Sequence, residues 1–295
     1  MDKNTLAHVV GIITVLIWGC TFVNTRYLLN AGLSAADIFV CRFSLAYICI
    51  WFISPRKLKA DSWRDELLFV VLGITGGSLY FLTENAAVGH TLVNNVSFIV
   101  CTAPLFTMLL ARLFYRGMRI GWKLAVGSIV ALLGMGLVIF NGHVVLKLNP
   151  LGDMLALAAA ICWAVYSLLI KYVSQGKYSA IFVTRKVFAY GLLTILPVFI
   201  FQPWEFPLSG FAEPTVWGNL LFLGLVASFA CFVTWSWVIK QIGTLKASNY
   251  IYLNPVSTVI ASAVALDEPM TLLAWLGSAC ILGGVALANS IHLDK

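Results

Sequence analysis

The sequence predicts an all-α polytopic membrane protein, with ten transmembrane helices arranged as two inverted-topology five-helix repeats. Three observations carry that expectation. Hydrophobic residues fill 61% of the 295 positions and charged residues 11%, against about 45–50% and about 25% in soluble domains. The apolar residues gather into runs near the ~20 residues that cross a bilayer as a helix. The runs of the second half also repeat those of the first, in order. So little polar surface could not cover a soluble core of this size, which excludes a soluble enzyme, a nucleic-acid-binding protein and a disordered chain. The alternating pattern of a barrel strand is absent, which leaves helices as the structure that satisfies its own backbone in lipid.

Taken in order, the first run spans 8–29. It is longer than the apolar core of a signal peptide, lacks a small-residue cleavage site and is followed at once by 35–54, so it is expected to be retained. The first half continues with 66–88, 92–114 and 120–141, and the second comprises 151–172, 179–201, 216–239, 246–266 and 271–291. The connections average about 7 residues and none could hold a folded domain. Residues 1–145 and 146–295 are therefore read as two halves of one transport unit, with function seated among the helices. All seven cysteines fall inside these runs with no CxxC pair, and His8, His90, His143 and His292 are scattered. Buried small hydrophobes fit that pattern; a disulfide framework or a metal centre does not.

Orientation follows from Lys and Arg. With the N-terminus inside, fourteen of the nineteen basic residues fall on the cytoplasmic side, among them Arg56, Lys57, Lys59, Arg112, Arg116 and Arg119. Arg26 and Lys147 lie outside, and Arg42, Arg185 and Lys186 sit within runs. Both termini are expected in the cytoplasm, and the net charge of +7 is a topology signal.

The repeat is specific. Leu16-Ile-Trp18-Gly19 through Arg26-Tyr27 lines up with Ile161-Cys-Trp163-Ala164 through Lys171-Tyr172. Ile38 to Arg42 matches Ile181 to Arg185 at four of five positions. Leu72-Gly73 and Phe81 match Leu223-Gly224 and Phe232, Pro104 matches Pro255, and Gly127-Ser128 with Gly134 matches Gly277-Ser278 with Gly284. Apolar helices resemble one another by composition, but that does not align rare Trp, Arg and Pro through five consecutive runs. Five is odd, so the second copy enters the bilayer from the opposite side. That is the architecture of many secondary transporters, in which exchanging the conformations of the two halves reverses the side to which a central cavity opens.

The stretch Tyr252-Leu-Asn-Pro255-Val, then Leu266-Asp-Glu268-Pro, Leu276-Gly277 and Leu282-Gly283-Gly284-Val resembles the ending of the EamA-type carriers of the drug/metabolite transporter superfamily. Trp18-Gly19 and the helix-2 arginine Arg42, with its partner Arg185, are similar too, and the resemblance covers nearly the whole chain. The first half departs from it, with Arg116-Gly117 where the second has Asp267-Glu268. The resemblance implies a ten-helix bundle and a central cavity lined mainly by helices 1, 3, 4, 6, 8 and 9. It implies transport of amino acids, other metabolites or drugs without choosing among them.

Glu84 is the one acid well inside a run, and an intramembrane carboxylate faces a cavity or a partner. Arg42 lies within roughly 3 Å of the same depth at 1.5 Å per residue. A gating pair, a site for a substrate amine or a proton, and exposure to headgroups are all open readings. Nothing acidic answers Arg185, because Trp235 stands opposite Glu84 in the repeat, so Arg185 is expected to snorkel. Tyr80 shares the Glu84 face. Trp18 and Trp163 recur near mid-helix, which favours a cavity wall over packing alone, and Tyr166 neighbours Trp163. Asn95 and Tyr252 belong to polar runs that either line the cavity or bond between helices. Trp18, Tyr80, Glu84, Asn95, Trp163, Tyr166 and Tyr252 are thus the candidate substrate contacts, Arg42 and Glu84 the candidate gate, and Pro104 and Pro255 the candidate hinges. Trp235 and Trp237 are expected in an interfacial belt.

The function expected is a secondary carrier in the bacterial cytoplasmic membrane, exporting amino acids or related amphipathic solutes by alternating access. Its partners would be a small solute, the bilayer and protons through Glu84, with no nucleic acid and no cofactor. An uncoupled facilitator and a drug or cation efflux carrier are alternatives. An intramembrane enzyme would need clustered nucleophiles, His or paired acids, and a sensor would need an output domain. A Walker motif is absent, which argues against direct ATP use.

Overall fold

The structure is a computed structural model that describes residues 2–55, 59–91, 93–114, 121–140, 149–174, 178–266 and 271–290. Every regular element among them is helical. Helix α1 (Lys3–Asn30) stops where Gly32 turns to φ 104° and the amides of Gly32 and Leu33 reach back to the carbonyls of Leu29 and Leu28. Two residues later Ser34 and Asp37 form a reciprocal capping box that starts α2 (Ala35–Ile53). The orphan donors of a helix start are thereby satisfied within the turn itself. Ser62 caps α3 (Trp63–His90) by a single bond, its hydroxyl oxygen accepting from the Asp65 amide at 3.1 Å.

The next helices fall on the expected runs. Helix α4 comes as two pieces, Val93–Val100 and Ala103–Phe114, followed by α5 (Trp122–Phe140) and α6 (Pro150–Ser174). Then come α7 (Ala180–Phe201) and α8 (Pro214–Ile242). Helix α9 is assembled from Thr244–Asn249, a 3₁₀ turn Tyr250–Leu253 and Asn254–Leu266, and α10 covers Leu272–Asn289. Seven helices among the described residues are long and apolar enough to cross a membrane, and Trp122–Leu137 and Trp275–Asn289 are shorter apolar helices. The boundary expected at 145/146 lies outside the described residues, as do Arg116-Gly117 and Asp267-Glu268.

Two helices depart from α geometry in their middles. A π turn occupies Ile74–Ser78 in α3, where Gly77 leaves the helical region at φ −125°, ψ −106°. Another occupies Phe222–Ala230 in α8. Both meet a crossing helix, α7 on the α3 turn and α2 on the α8 turn. At the far edge α5 and α10 lie along each other antiparallel. Gly127 faces Gly284 and Ala288, and Gly134 faces Gly277 and Ile281, so closely that a Cβ at either glycine would meet backbone atoms. Small residues allow this approach, which in lipid is where dispersion contacts are gained.

The outer surface is apolar, with Leu113, Leu133, Ile200 and Phe201 all exposed. Exposed tryptophans gather at or near helix ends: Trp51, Trp63, Trp122, Trp204, Trp217 and Trp275. Tryptophan is enriched at the ends of membrane helices, where its amphipathic ring meets the headgroups. Gly134→Leu should therefore lower stability by roughly 1–3 kcal/mol through overpacking. Gly283→Leu, at a position with nothing near its Cβ, should be nearly neutral, and thermal unfolding in detergent micelles would compare the two.

Candidate functional site

A cavity of ≈ 440 Å³, counted to its mouth, lies where the irregular helix segments converge. Its wall takes Trp18, Thr21 and Phe22 from α1, Arg42 from α2, Tyr80, Phe81 and Glu84 from α3, Val100 from α4, Trp163 from α6, Phe232 from α8, and Ile251 and Asn254 from α9. Both halves of the chain therefore contribute. The α9 residues reach the cavity because the 3₁₀ turn over Tyr250–Leu253 unwinds that helix at this level. Irregular backbone at such depth is tolerated where it is buried in protein or lines a cavity.

The floor of the cavity is aromatic. The Trp18 ring packs edge-on against Trp163 and Trp235, each at 5.1 Å between centroids, and Tyr80 lies 5.0 Å from Trp163. Phe232 touches both Trp18 and Trp163 from beneath. The Trp18 indole N–H donates to the Ala227 carbonyl at 2.9 Å, inside the α8 π turn. Edge-to-face packing of this kind holds rings rigidly and gives a wall suited to flat or apolar groups.

Two opposite charges face this wall. Arg42 and Glu84 are buried, with 2% and 6% exposure. The Arg42 Nε donates to Ser228 Oγ at 2.8 Å, and its guanidinium carbon sits 4.3 Å over the Phe81 ring. A delocalised, weakly hydrated cation tolerates such a setting better than an ammonium would. Glu84 has the Tyr80 hydroxyl within interaction range one turn back, and the Arg42 charge acts on it through space. Of the open readings of Arg42 and Glu84, the direct ion pair that matched depth allowed is not made in this structure. Arg42 turns instead to Ser228 and Phe81, and the two charges line one cavity separately.

Of the expected substrate contacts, Trp18, Tyr80, Glu84 and Trp163 line the cavity together. Three others sit behind its wall. Tyr166 is buried under Trp163, its ring against Gly76. Tyr252 is buried and has Ser128 of α5 within reach. Asn95 is turned toward Thr91 Oγ1 at 3.4 Å. Pro104 and Pro255 each stand at the second residue of a helical segment, immediately after a break, Cys101-Thr102 in α4 and the 3₁₀ turn in α9. Trp235 is not in an interfacial belt: it is fully buried in the aromatic cluster, because α1, α6 and α7 pack on its segment of α8. Phe22, Phe81, Phe232 and Asn254 complete the wall without having been singled out as contacts, since nothing local separates a lining phenylalanine from a packed one.

The opposite end of the α3–α7 interface holds a second charged group. Lys186 Nζ, 1% exposed, pairs with Glu66, and the Tyr190 hydroxyl donates to the same carboxylate oxygen. Arg185 does not snorkel: it is buried and donates to the Ser54 carbonyl at 2.5 Å, at the end of α2. Tyr178 bonds Asp65 at 2.9 Å just outside. The sequence reading passed over Glu66 as the first residue of its run. Matched depth would not have found it: Glu66 opens run 66–88 while Lys186 lies seven residues into run 179–201, roughly 10 Å deeper at 1.5 Å per residue.

The profile of the EamA-like transporter family matches residues 5–140 and again 150–290. Among curated relatives, a "Probable terminal-alkyne amino-acid exporter" of Streptantibioticus cattleyicolor is 27% identical, over 96% of this chain and 93% of its own. A "Probable amino-acid metabolite efflux pump" of Escherichia coli is 26% identical, over 94% and 92%. An "Uncharacterized transporter" of Archaeoglobus fulgidus is also 26% identical, over 92% and 95%. A solved structure, titled only as the crystal structure of a protein, superposes with a TM-score of 0.74 at 18% identity and covers 96% of both chains, which establishes the shared fold.

Removing one partner of a buried pair strands the other charge. Glu66→Ala should therefore destabilise the protein by on the order of 3 kcal/mol, while the double change Glu66→Leu with Lys186→Met should recover most of that loss. Denaturant unfolding in micelles would measure both.

Proposed function

We propose a carrier function from one established premise: the chain belongs to the EamA-like transporter family. In this reading the protein is a secondary transporter. It moves small organic metabolites through the aromatic cavity by alternating access, without ATP. The observation that carries the proposal is the cavity itself, enclosed by both halves and walled by Trp18, Tyr80 and Trp163 with Glu84 and Arg42 in the same lining. Its lining combines apolar rings with a few convergent polar groups, as small-molecule sites do. The carboxylate and guanidinium suit the two ends of a zwitterion, and the rings suit an apolar side chain. Relatives named as an amino-acid exporter and an amino-acid metabolite efflux pump support that substrate class and an outward direction.

Ten spans in two inverted halves provide the mechanism. Several contacts support that arrangement. Gly127 meets Gly284 while Gly134 meets Gly277, so repeat-equivalent glycines exchange partners across an antiparallel pair. The π turn of α3 falls within the repeat-equivalent stretch of the α8 turn. Helix α2 packs on the α8 turn as α7 packs on the α3 turn. The excess of Lys and Arg in the connections of one side supports a reading with both termini in the cytoplasm and the chain in a bacterial inner membrane. The Glu84 cavity then lies in the outer half of the bilayer and the Lys186–Glu66 group in the inner half. The conformation is outward-facing, closed inside by α3 against α7.

Counterflow into proteoliposomes over a panel of amino acids and aromatic cations tests the carrier reading. Saturable flux is expected with at least one solute, and none with any, from folded protein, would sink it. Trp163→Ala should lower affinity for the transported solute about tenfold or more, as loss of a buried aromatic anchor does. Glu84→Gln should abolish any acceleration of flux by an imposed proton gradient. A gradient effect that survives this change would remove Glu84 from coupling, and the absence of one in the unaltered protein would identify an uncoupled facilitator.

A further inference from the structure

The two repeated tryptophans end on different terms. The Trp18 indole N–H is bonded to the Ala227 carbonyl at 2.9 Å. That carbonyl is available because of the irregular turn: the Cys231 amide, which would reach Ala227 in an α-helix, is shared between the Ser228 and Val226 carbonyls instead. Trp163 is 5% exposed and lines the same cavity, yet its indole N–H is buried without an acceptor. A buried unpaired donor is costly, and the position calls for an explanation.

The repeat supplies one. Aligning Leu72-Gly73 with Leu223-Gly224 and Phe81 with Phe232 places Gly76 opposite Ala227. The counterpart of the bond from Trp18 to the Ala227 carbonyl is therefore a bond from Trp163 to the Gly76 carbonyl. Gly76 lies in the α3 π turn, where the Leu79 amide reaches Ile74 in place of Thr75 and the regular helical bonding is interrupted as it is around Ala227. Helix α6 already packs on this turn, with Tyr166 seated on the bare Cα of Gly76 so tightly that a side chain there would strike its ring. The Trp163 donor sits one helical turn from Tyr166, on the helix that already meets Gly76.

We propose that Trp18 and Trp163 are reciprocal latches that set the balance between the two faces of the transport cycle. In the conformation described, α1 is latched to the α8 turn and the α6 latch is open. When the halves exchange conformations, Trp163 takes the Gly76 carbonyl as Trp18 releases that of Ala227. Each facing state then keeps one indole bonded and leaves one unbonded, so neither is favoured by the exchange. Both tryptophans act as positioning residues through the helices they hold. The inference rests on the alternating-access reading and goes beyond it, because it assigns which bonds alternate.

Hydrogen–deuterium exchange on the full-length chain in lipid nanodiscs, without solute, tests it. Trp18→Phe should shift the population away from the described conformation, protecting peptides of the Glu84 half and exposing those around Glu66. Trp163→Phe should do the opposite, and the double variant should return close to the unaltered balance. One neutral hydrogen bond predicts a change of roughly threefold or more in the ratio of the two states for each single variant. Benzothienylalanine at either position, which keeps the ring shape and removes the donor, should reproduce the corresponding shift and covers a Phe variant that does not fold. Shifts of the same sign at both positions, or none in folded protein, would overturn the proposal. Solute flux through the unaltered protein is measured separately. A chain that shows reciprocal shifts and no flux would retain the latches and lose the carrier function.

Discussion

In hydrocarbon a peptide group finds no water, so each N–H and C=O must be bonded within the protein or forfeit several kcal/mol. The rest of this structure follows from that constraint. It imposes helices on every described apolar run and makes each departure from regular helix informative. The departures here are few and gathered: π turns in α3 and α8, a break in α4, and a 3₁₀ turn in α9. They face inward, around the cavity or the crossing of α2 and α7. At the α8 turn, a side chain completes what the backbone leaves open, with Trp18 bonded to Ala227. The site exists where helical regularity is given up and something else satisfies the backbone.

Charge obeys the same rule with larger penalties. Arg42 is held by a serine hydroxyl and an aromatic face, Glu84 has a phenol beside it, and Lys186 has a carboxylate and a neighbouring tyrosine. The two ends are not chemical copies. Around Glu84 the opposite charges face a common cavity without pairing, whereas Lys186 and Glu66 pair directly and close α3 against α7. One group thus leaves its charges apart on a cavity wall, and the other joins two helices through a direct pair.

Much of this was legible in the residues. Hydropathy placed the runs, because the bilayer requires long apolar segments whatever their neighbours are. Rare residues in register, Trp18 with Trp163 and Arg42 with Arg185, pointed to the middle of the molecule. Tyr80 and Glu84 followed from helical spacing. Two expectations failed for a common reason: Arg185 was read as snorkelling and Trp235 as interfacial. Each was judged by its depth along one helix. Depth says how far a side chain is from the membrane surface but not whether its helix is crossed by another. Helices α1, α6 and α7 pack on the Trp235 segment of α8, and α2 packs on α7, so Trp235 and Arg185 are enclosed.

What the sequence determined by itself is the solvent, the helical class, the runs and the repeat. These depend on composition and period, which are properties of single segments. The tertiary structure alone decided which rings became wall and which became packing. It separated Trp163 from Tyr166 one turn away, brought Asn254 to the cavity through a 3₁₀ turn, and joined Lys186 to Glu66 across 120 residues. Those outcomes turn on crossing geometry and on single-residue shifts of helical register. A π turn moves every following side chain by about 100° around its helix, and no reading of period along the chain shows where the packing of neighbours will make that shift worthwhile.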